Sequence, residues 1–373
     1  MRERGGWTSL TVAAVALAMT ALAAAVLLAM GGYDPVRAAA AMWSGAFGSR
    51  EAFLSVTLVR SVPFLLTGLA VALAFRAGVW NIGAEGQLYA GAIAAVWIGL
   101  IGGGLPAWIL APAVLLAAGA AGAAWALVPA LMKLRLGVGE VITTILMNFI
   151  GINFAAYLVH GPLQEPRGVF PQTDQIAEAA RLPALFPGTR LHVGFLLAVL
   201  LAGGLAVAIR RTRWGFRVRA VGASERAARV AGRIDSNRVV MGAFLASGAL
   251  AGLAGGVEIS GLTYALYEGL SPGWGYTAIA VALLAALDPA AVVGTAVLFG
   301  ALEAGSGAMQ REAGIPAVWV TAVEALVILA VLATDQIRRR RLGVPRSGAS
   351  GGGGDGEGAP GVPTAPGPEV AGA

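Results

Sequence analysis

The sequence predicts an all-α, polytopic membrane protein of about ten transmembrane helices. Three observations carry that expectation. Of 373 residues, 57% are hydrophobic and only 12% are charged, where soluble domains carry about 25%. The mean hydropathy is +0.76. Several apolar runs reach the roughly 20 residues that a helix needs to cross the hydrocarbon core.

The runs fall at 8–31, 54–75, 80–100, 106–131, 138–160, 191–209, 238–262, 276–287, 290–308 and 316–335. The first follows "MRERGG", the charged start of a signal peptide, but the stretch from Thr8 to Met30 is longer than an h-region of about 7–15 residues. We read it as an uncleaved first helix. Ten crossings put both termini on one side. Arg2, Arg4, Lys133, Arg135, the nine arginines between 210 and 238 and the four at 338–341 then share that side. By the positive-inside rule it is the cytoplasmic one, and one helix more or fewer would break the agreement. The 161–190 loop, with Pro162, Pro166, Pro171, Pro183 and Pro187, lies outside. Residues 1–341 form the transmembrane domain. Residues 342–373, rich in Gly, Pro and Ala without period, read as a disordered and dispensable cytoplasmic tail.

Composition also excludes function classes. With no cysteine there is no thiolate metal site, disulfide framework or Cys nucleophile. Two histidines, His160 and His192, both at expected membrane edges, cannot build a histidine-rich metal site. The net charge of +6 is concentrated in arginine clusters that lack the aromatic interleaving and soluble domain of a nucleic-acid binder. The only lysine, Lys133, stands in "LMKLRL", so the chain has no P-loop, G-x-x-x-x-G-K-[ST]. If transport runs on ATP, another chain binds the nucleotide.

Two patterns concern packing. Gly248, Gly252 and Gly256 recur every four residues and offer a flat strip to another helix. "PFLLTGLAVALAFRAG" at 63–78 resembles "AFLASGALAGLAGGVE" at 243–258, and a glycine-broken polar stretch and a new apolar run follow each. The two would enter the membrane from opposite sides. Inverted repeats with interrupted helices are a transporter signature.

Polar groups at membrane depth are the candidates for function. "GVWNIGAEGQLYAGA" at 78–92 places Asn81, Glu85 and Gln87 among glycines 78, 83 and 86. A buried carboxylate should face a cavity or a partner, and amides suit a sugar hydroxyl or base edge. The stretch reads either as a gate lining the substrate path or as a tight cytoplasmic turn beside Arg76. Around "GLSPGWGYTAIA", Trp274 and Tyr276 flank a backbone break; they either stack on a ring or belong to the interfacial aromatic belt. Glu140, Asn148, Asn153, Glu258, Glu303, Gln310 and Glu324 read mostly as interhelical hydrogen-bonding groups. In "RRTRWGFRVRAVGASERAARVAGR", Ser224 can N-cap a short helix that Gly232 ends. Ala227, Ala228 and Ala231 then form a small-residue face flanked by Arg226 and Arg229. That face suits docking to a soluble partner; the arginines also suit lipid headgroups.

Four stretches in order, "AFRAGVWNIGAEGQLYAGA", "GVGEVITTILMNFI", "TRWGFRVRAVGASERAARVAG" and "GYTAIAVALLAALDPAAVVGTAVLFGALEAGSGAMQREAGIP", resemble the permease subunit of bacterial ABC importers. The branch is that of ribose-type, branched-chain amino-acid and nucleoside permeases. "NIGAEGQ" and "GEVITTILMN" are nearest its nucleoside or simple-sugar members. The resemblance spans about 54–335. It implies a ten-helix permease in the bacterial inner membrane, paired with a related permease or a second copy. It also implies ABC ATPase subunits and an extracytoplasmic binding protein. It casts 215–233 as the coupling loop, with Gly215, Gly222, Ser224, Glu225, Arg226, Ala228, Arg229 and Gly232, and favours the gate for 78–92. Arg233, where an apolar residue is expected, and Glu324, where an amide is expected, depart from the pattern.

The resulting expectation is an alternating-access importer of nucleosides or related simple sugars, with no catalytic, metal or cofactor site of its own. Two rivals come from other classes. A proton-coupled secondary transporter would use Glu85 or Glu140. An intramembrane enzyme lacks a cysteine, a central histidine, or a serine beside a base.

Overall fold

A computed structural model describes residues 18–232 and 234–341. Arg233, the N-terminal arginines and the 342–373 tail lie outside the described residues, as does the side chain of Glu324. Among the described residues thirteen α-helices follow in order: α1 (Ala18–Met30), α2 (Pro35–Phe47), α3 (Leu58–Arg76), α4 (Ala84–Ile101), α5 (Ala107–Leu136), α6 (Glu140–Val159), α7 (Val193–Arg211), α8 (Arg213–Ala223), α9 (Glu225–Gly232), α10 (Ser236–Glu258), α11 (Trp274–Leu284), α12 (Pro289–Glu312) and α13 (Ala317–Arg341). Among the described residues there is no β-strand, only two isolated bridges.

The fold class agrees with expectation, and each apolar run overlaps a helix within the described residues. Among the described residues seven helices are long and apolar enough to cross a membrane, or eight if the bent pair α1–α2 makes one span. Hydropathy missed α2. The chain leaves α1 through Gly31 and Gly32 and bends by 118° into it. Asp34 caps α2, its Oδ1 accepting from Val36 N at 2.8 Å, and Pro35 supplies a preset φ at the first helical position. The expected 276–287 crossing is α11, whose eleven residues rise only about 16 Å at ~1.5 Å per residue. The irregular segment 264–273 precedes it.

The glycine strip is packing, as its spacing suggested. A β-carbon at Gly252 would lie 2.3 Å from the Ala118 carbonyl oxygen, and one at Gly248 2.5 Å from that of Gly122. Helices α5 and α10 therefore meet backbone to backbone, with α4 against the same strip at Gly91 and Gly255. Helix α3 is the most deeply covered element, buried along nearly its whole length.

The two echoing segments run antiparallel. Ser247 Oγ of α10 donates to the Ala70 carbonyl of α3 at 2.8 Å, while residues 73–79 pack beside 239–244. Each helix carries a π-helical turn at one end, Ala52–Thr57 before α3 and Ile259–Thr263 after α10. Each is followed by a break and a helix that starts at the break. The two units are unequal, since α4 has 18 residues and α11 has 11.

Helices α8 and α9 cap the end of the bundle where α3 finishes at Arg76 and α5 finishes with Lys133 and Arg135. Segment 161–190 covers the opposite end. Its amides at Thr173, Ile176, Ala177 and Leu182 donate to the carbonyls of Leu266, Tyr264, Gly99 and Ser260.

Candidate functional site

The break between α3 and α4 is stitched by side chains. Asn81, Glu85 and Gln87 are all buried. Asn81 and Gln87 form a reciprocal amide pair: Asn81 Nδ2 donates to Gln87 Oε1 at 3.1 Å, and Gln87 Nε2 donates to Asn81 Oδ1 at 3.0 Å. Asn81 Nδ2 also reaches Ser247 Oγ at 2.9 Å, and its Oδ1 accepts from Gly83 N at 3.0 Å. From α6, Asn148 accepts from Gly86 N at 2.8 Å and donates to the Ile82 carbonyl at 2.9 Å, while Thr144 accepts from Ile82 N at 3.3 Å. Unpaired backbone polar groups at this depth are costly. The amides chosen by the sequence supply the partners that a helix would have supplied.

The second break meets the first. Gly275 N donates to Glu85 Oε2 at 2.6 Å, and a β-carbon at Gly275 would lie 2.3 Å from Glu85 N. Glu85 thus caps the N-terminus of α11, where partial positive charge favours a carboxylate. Ser271 N donates to Tyr89 Oη at 3.1 Å, and Ser271 Oγ accepts from Gly273 N and Trp274 N. Trp274 is buried and its Nε1 donates to Glu303 Oε2 at 3.1 Å. Tyr276 is 37% exposed. The structure therefore brings Asn81, Glu85, Gln87 and Trp274 into one core at the crossing of the two breaks, with Tyr276 at its edge.

Sequence reasoning passed over Arg60, whose Nη1 lies 2.5 Å from Glu303 Oε1. A lone arginine in "TLVRSVPFLLTG" opposite a lone glutamate in another apolar run is itself the signal for such a pair. Lys133 likewise meets Glu140 at 2.5 Å, so Glu140 has a fixed partner. Asn153 turns back onto the Phe149 carbonyl of its own helix, and Gln310 is exposed.

At the arginine-rich end, Ser224 caps α9 as expected, its Oγ accepting from Ala227 N at 3.3 Å, and Gly232 is the last helical residue. One expectation is corrected. Ala228 does not lie on the outward face but is 6% exposed and packs with Ile209, Val218, Val221 and Phe244. The outward face presents Arg226, Ala227 and Val230, the last 79% exposed; the side chain of Ala231 is outside the described set. Helix packing decides this: α9 needs one small residue where it sits on α8 and α10. Arg229 is a tether, donating to Glu225 at 2.5 Å, to Asn237 at 3.2 Å and to Ser236.

The two tight glycines seat α8. Gly215 packs on the Ala208 and Ile209 carbonyls, and Gly222 on the Arg76 carbonyl, its missing β-carbon 2.0 Å from that oxygen. Gly222 also faces Gly78, which turns with φ +76. The loop helices thus touch the first residues of the α3–α4 break directly. Beside them Arg211, Arg213, Phe216 and Arg217 line an open cleft of about 520 Å³.

Comparison with known proteins places this geometry. The family described as the branched-chain amino acid transport system / permease component matches residues 53–332. The chain belongs to that family. The permease is 38% identical to the guanosine ABC transporter permease protein of Bacillus subtilis, over 88% of this chain and 94% of that one. It is 37% identical to the glucose ABC transporter permease protein of Haloferax volcanii over 88% of each. It is 30% identical to the nucleoside ABC transporter permease protein of Lactococcus lactis, over 84% of this chain and 88% of the relative. No solved structure matches. The resemblance to the nucleoside and simple-sugar branch therefore holds, and the chain is a multi-pass membrane permease.

Proposed function

We propose that this permease is the membrane-spanning subunit of an ATP-driven importer of nucleosides or related simple sugars in a bacterial plasma membrane, with both termini cytoplasmic. It works beside an ABC ATPase that binds the nucleotide, a second permease or a second copy of itself, and an extracytoplasmic binding protein. The names of its relatives support the substrate class.

One contact carries the mechanism. Gly222 of α8 rests on the Arg76 carbonyl and against Gly78, at the start of the break that leads to Asn81 and Glu85. A partner pressing on the outward face of α9 therefore moves α8, and α8 moves the 77–83 break. That break is bonded to α6 through Asn148 and to α11 through Glu85. Packed elements of this kind shift as units rather than deform. Displacement of α8–α9 by the ATPase would then rock the two interrupted units against each other and alternate access to the path. Asn81, Glu85 and Gln87 act as the frame of that gate, and Trp274 and Tyr276 as its aromatic edge.

The test is uptake into proteoliposomes holding this permease, its partner permease and its ATPase, with the binding protein outside. Labelled guanosine and labelled ribose are offered with and without ATP in the compartment that the ATPase faces. Guanosine entry that needs ATP is expected. Ribose entry alone would shift the substrate within the class, and entry without ATP would favour a secondary transporter.

A further inference from the structure

Arg60, Glu258, Tyr267 and Glu303 gather in the half of the bundle covered by segment 161–190. Arg60 and Glu303 form the 2.5 Å ion pair, and Trp274 Nε1 occupies the other oxygen of Glu303. Glu303 is therefore satisfied. Glu258 is not. It is the last residue of α10, only 4% exposed, and among the described residues no hydrogen bond or ion pair reaches its carboxyl. It lies within electrostatic range of Arg60, Glu303 and Tyr267.

Depth makes this spare carboxyl informative. Arg60 stands eight residues into the span Ala52–Arg76, and Glu303 nine from the end of Pro289–Glu312. At ~1.5 Å per residue they sit about 12–14 Å inside. Ionisable groups there are costly and face a polar cavity or a partner rather than lipid. The Arg60 side chain is nevertheless 39% exposed, so this face opens onto water or a second permease. Both π-helical turns border the cluster, one ending three residues before Arg60 at Thr57 and the other starting immediately after Glu258. Such turns interrupt helices frequently at functional positions.

The chemistry selects a ligand class. Two carboxyls beside one guanidinium leave an acceptor in excess. An anionic solute would bring further acceptors and no donor to meet them. A neutral solute with adjacent hydroxyls supplies two donors to one carboxyl and accepts from the guanidinium. We propose that Glu258 contacts the solute in the transport path, accepting hydrogen bonds from the adjacent hydroxyls of a ribose-like sugar, with the Arg60–Glu303 pair as the wall beside it. This assignment rests on the transporter reading above.

The test uses the complete complex in proteoliposomes with an unchanged binding protein, offered guanosine and 2′,3′-dideoxyguanosine. Glu258→Gln should slow guanosine uptake at least ten-fold and draw the guanosine-to-dideoxyguanosine ratio towards one. Because the binding protein is constant, a change in that ratio belongs to this chain. The permease has no cysteine, so Glu258→Cys gives a single labelling position on it. A membrane-impermeant thiosulfonate should modify it, and guanosine should protect it. If Glu258 variants do not assemble, Tyr267→Cys on the same wall is read in the same way. An unchanged rate and ratio in Glu258→Gln, or no labelling of either cysteine with or without ATP, overturns the assignment. Failure of the unaltered complex to take up either solute would instead count against the transporter reading.

Discussion

The backbone amide of Gly275 donates to Glu85 Oε2 across 2.6 Å, so a carboxylate from the first turn of α4 caps the first turn of α11. Two interrupted helices are fastened at one bond. Glu85→Ala leaves the Gly275 amide buried without its acceptor, at a cost of about 1–3 kcal/mol. The purified complex should melt several degrees lower and take up solute more slowly. Glu85→Gln keeps an acceptor oxygen and should retain most of the melting temperature. Equal melting of both variants with the unaltered protein would show that the bond does not hold the breaks together.

Gly222 offers a separate probe of the link between the loop helices and the break. Its β-carbon would lie 2.0 Å from the Arg76 carbonyl oxygen, a backbone atom that cannot swing away. Gly222→Ala should force α8 off the 76–78 turn and reduce ATP-driven uptake by ten-fold or more. Gly203→Ala in α7 is the control, since nothing lies within 4 Å of its added carbon. It should leave uptake unchanged and add up to about 1 kcal/mol of helix stability. Comparable uptake by the two variants would sever the proposed linkage.

His192, immediately before α7, gives a pH dependence. Burial pushes its ring down to about 4 from the ordinary value near 6.5, and among the described residues its Nδ1 has no hydrogen-bond partner. The native ring is neutral, while an unfolded chain takes up a proton below about pH 6.5. Stability contributed by the neutral ring is thus complete above that pH and is lost as the pH falls towards 4. The loss reaches about 3 kcal/mol. Thermal unfolding between pH 7.5 and 4.5 should show a steeper fall for the unaltered protein than for His192→Leu. Parallel curves would mean that the ring stays solvated.

Much of the helical frame was legible because hydropathy reports long apolar helices directly. The strip of Gly248, Gly252 and Gly256 was legible for the same reason: spacing of four fixes a face whatever its neighbour. Two elements were not. Helix α2 carries too few consecutive apolar residues to stand out, and its start depends on the Asp34 cap and Pro35. The shortness of α11 depends on where Glu85 and Ser271 hold its first turn, which is tertiary information. At the site, the polarity of Asn81, Glu85 and Gln87 was visible. That they bond to one another and across to Ser247 and Gly275 was not, because those partners lie up to 190 residues away in sequence. The orientation of Ala228 failed for a related reason. In "ERAARVAG" three alanines look alike, and only the packing of α8 and α10 decides which one turns inward.

That orientation separates two effects of substitution in α9. Ala228 is buried in one cluster with Ile209, Val218 and Phe244. Ala228→Leu overpacks it, which costs about 1–3 kcal/mol, and should lower the melting temperature of the whole complex along with uptake. Val230 is 79% exposed on the opposite face. Val230→Asp removes nothing from the core, so the permease should melt as before. If the ATPase seats on this face, the same change should weaken ATPase co-purification and cut ATP-driven uptake several-fold. Co-purification is the deciding readout. A Val230→Asp permease that holds its ATPase and transports normally would move the docking surface away from α9, towards the arginine-lined cleft beside α8.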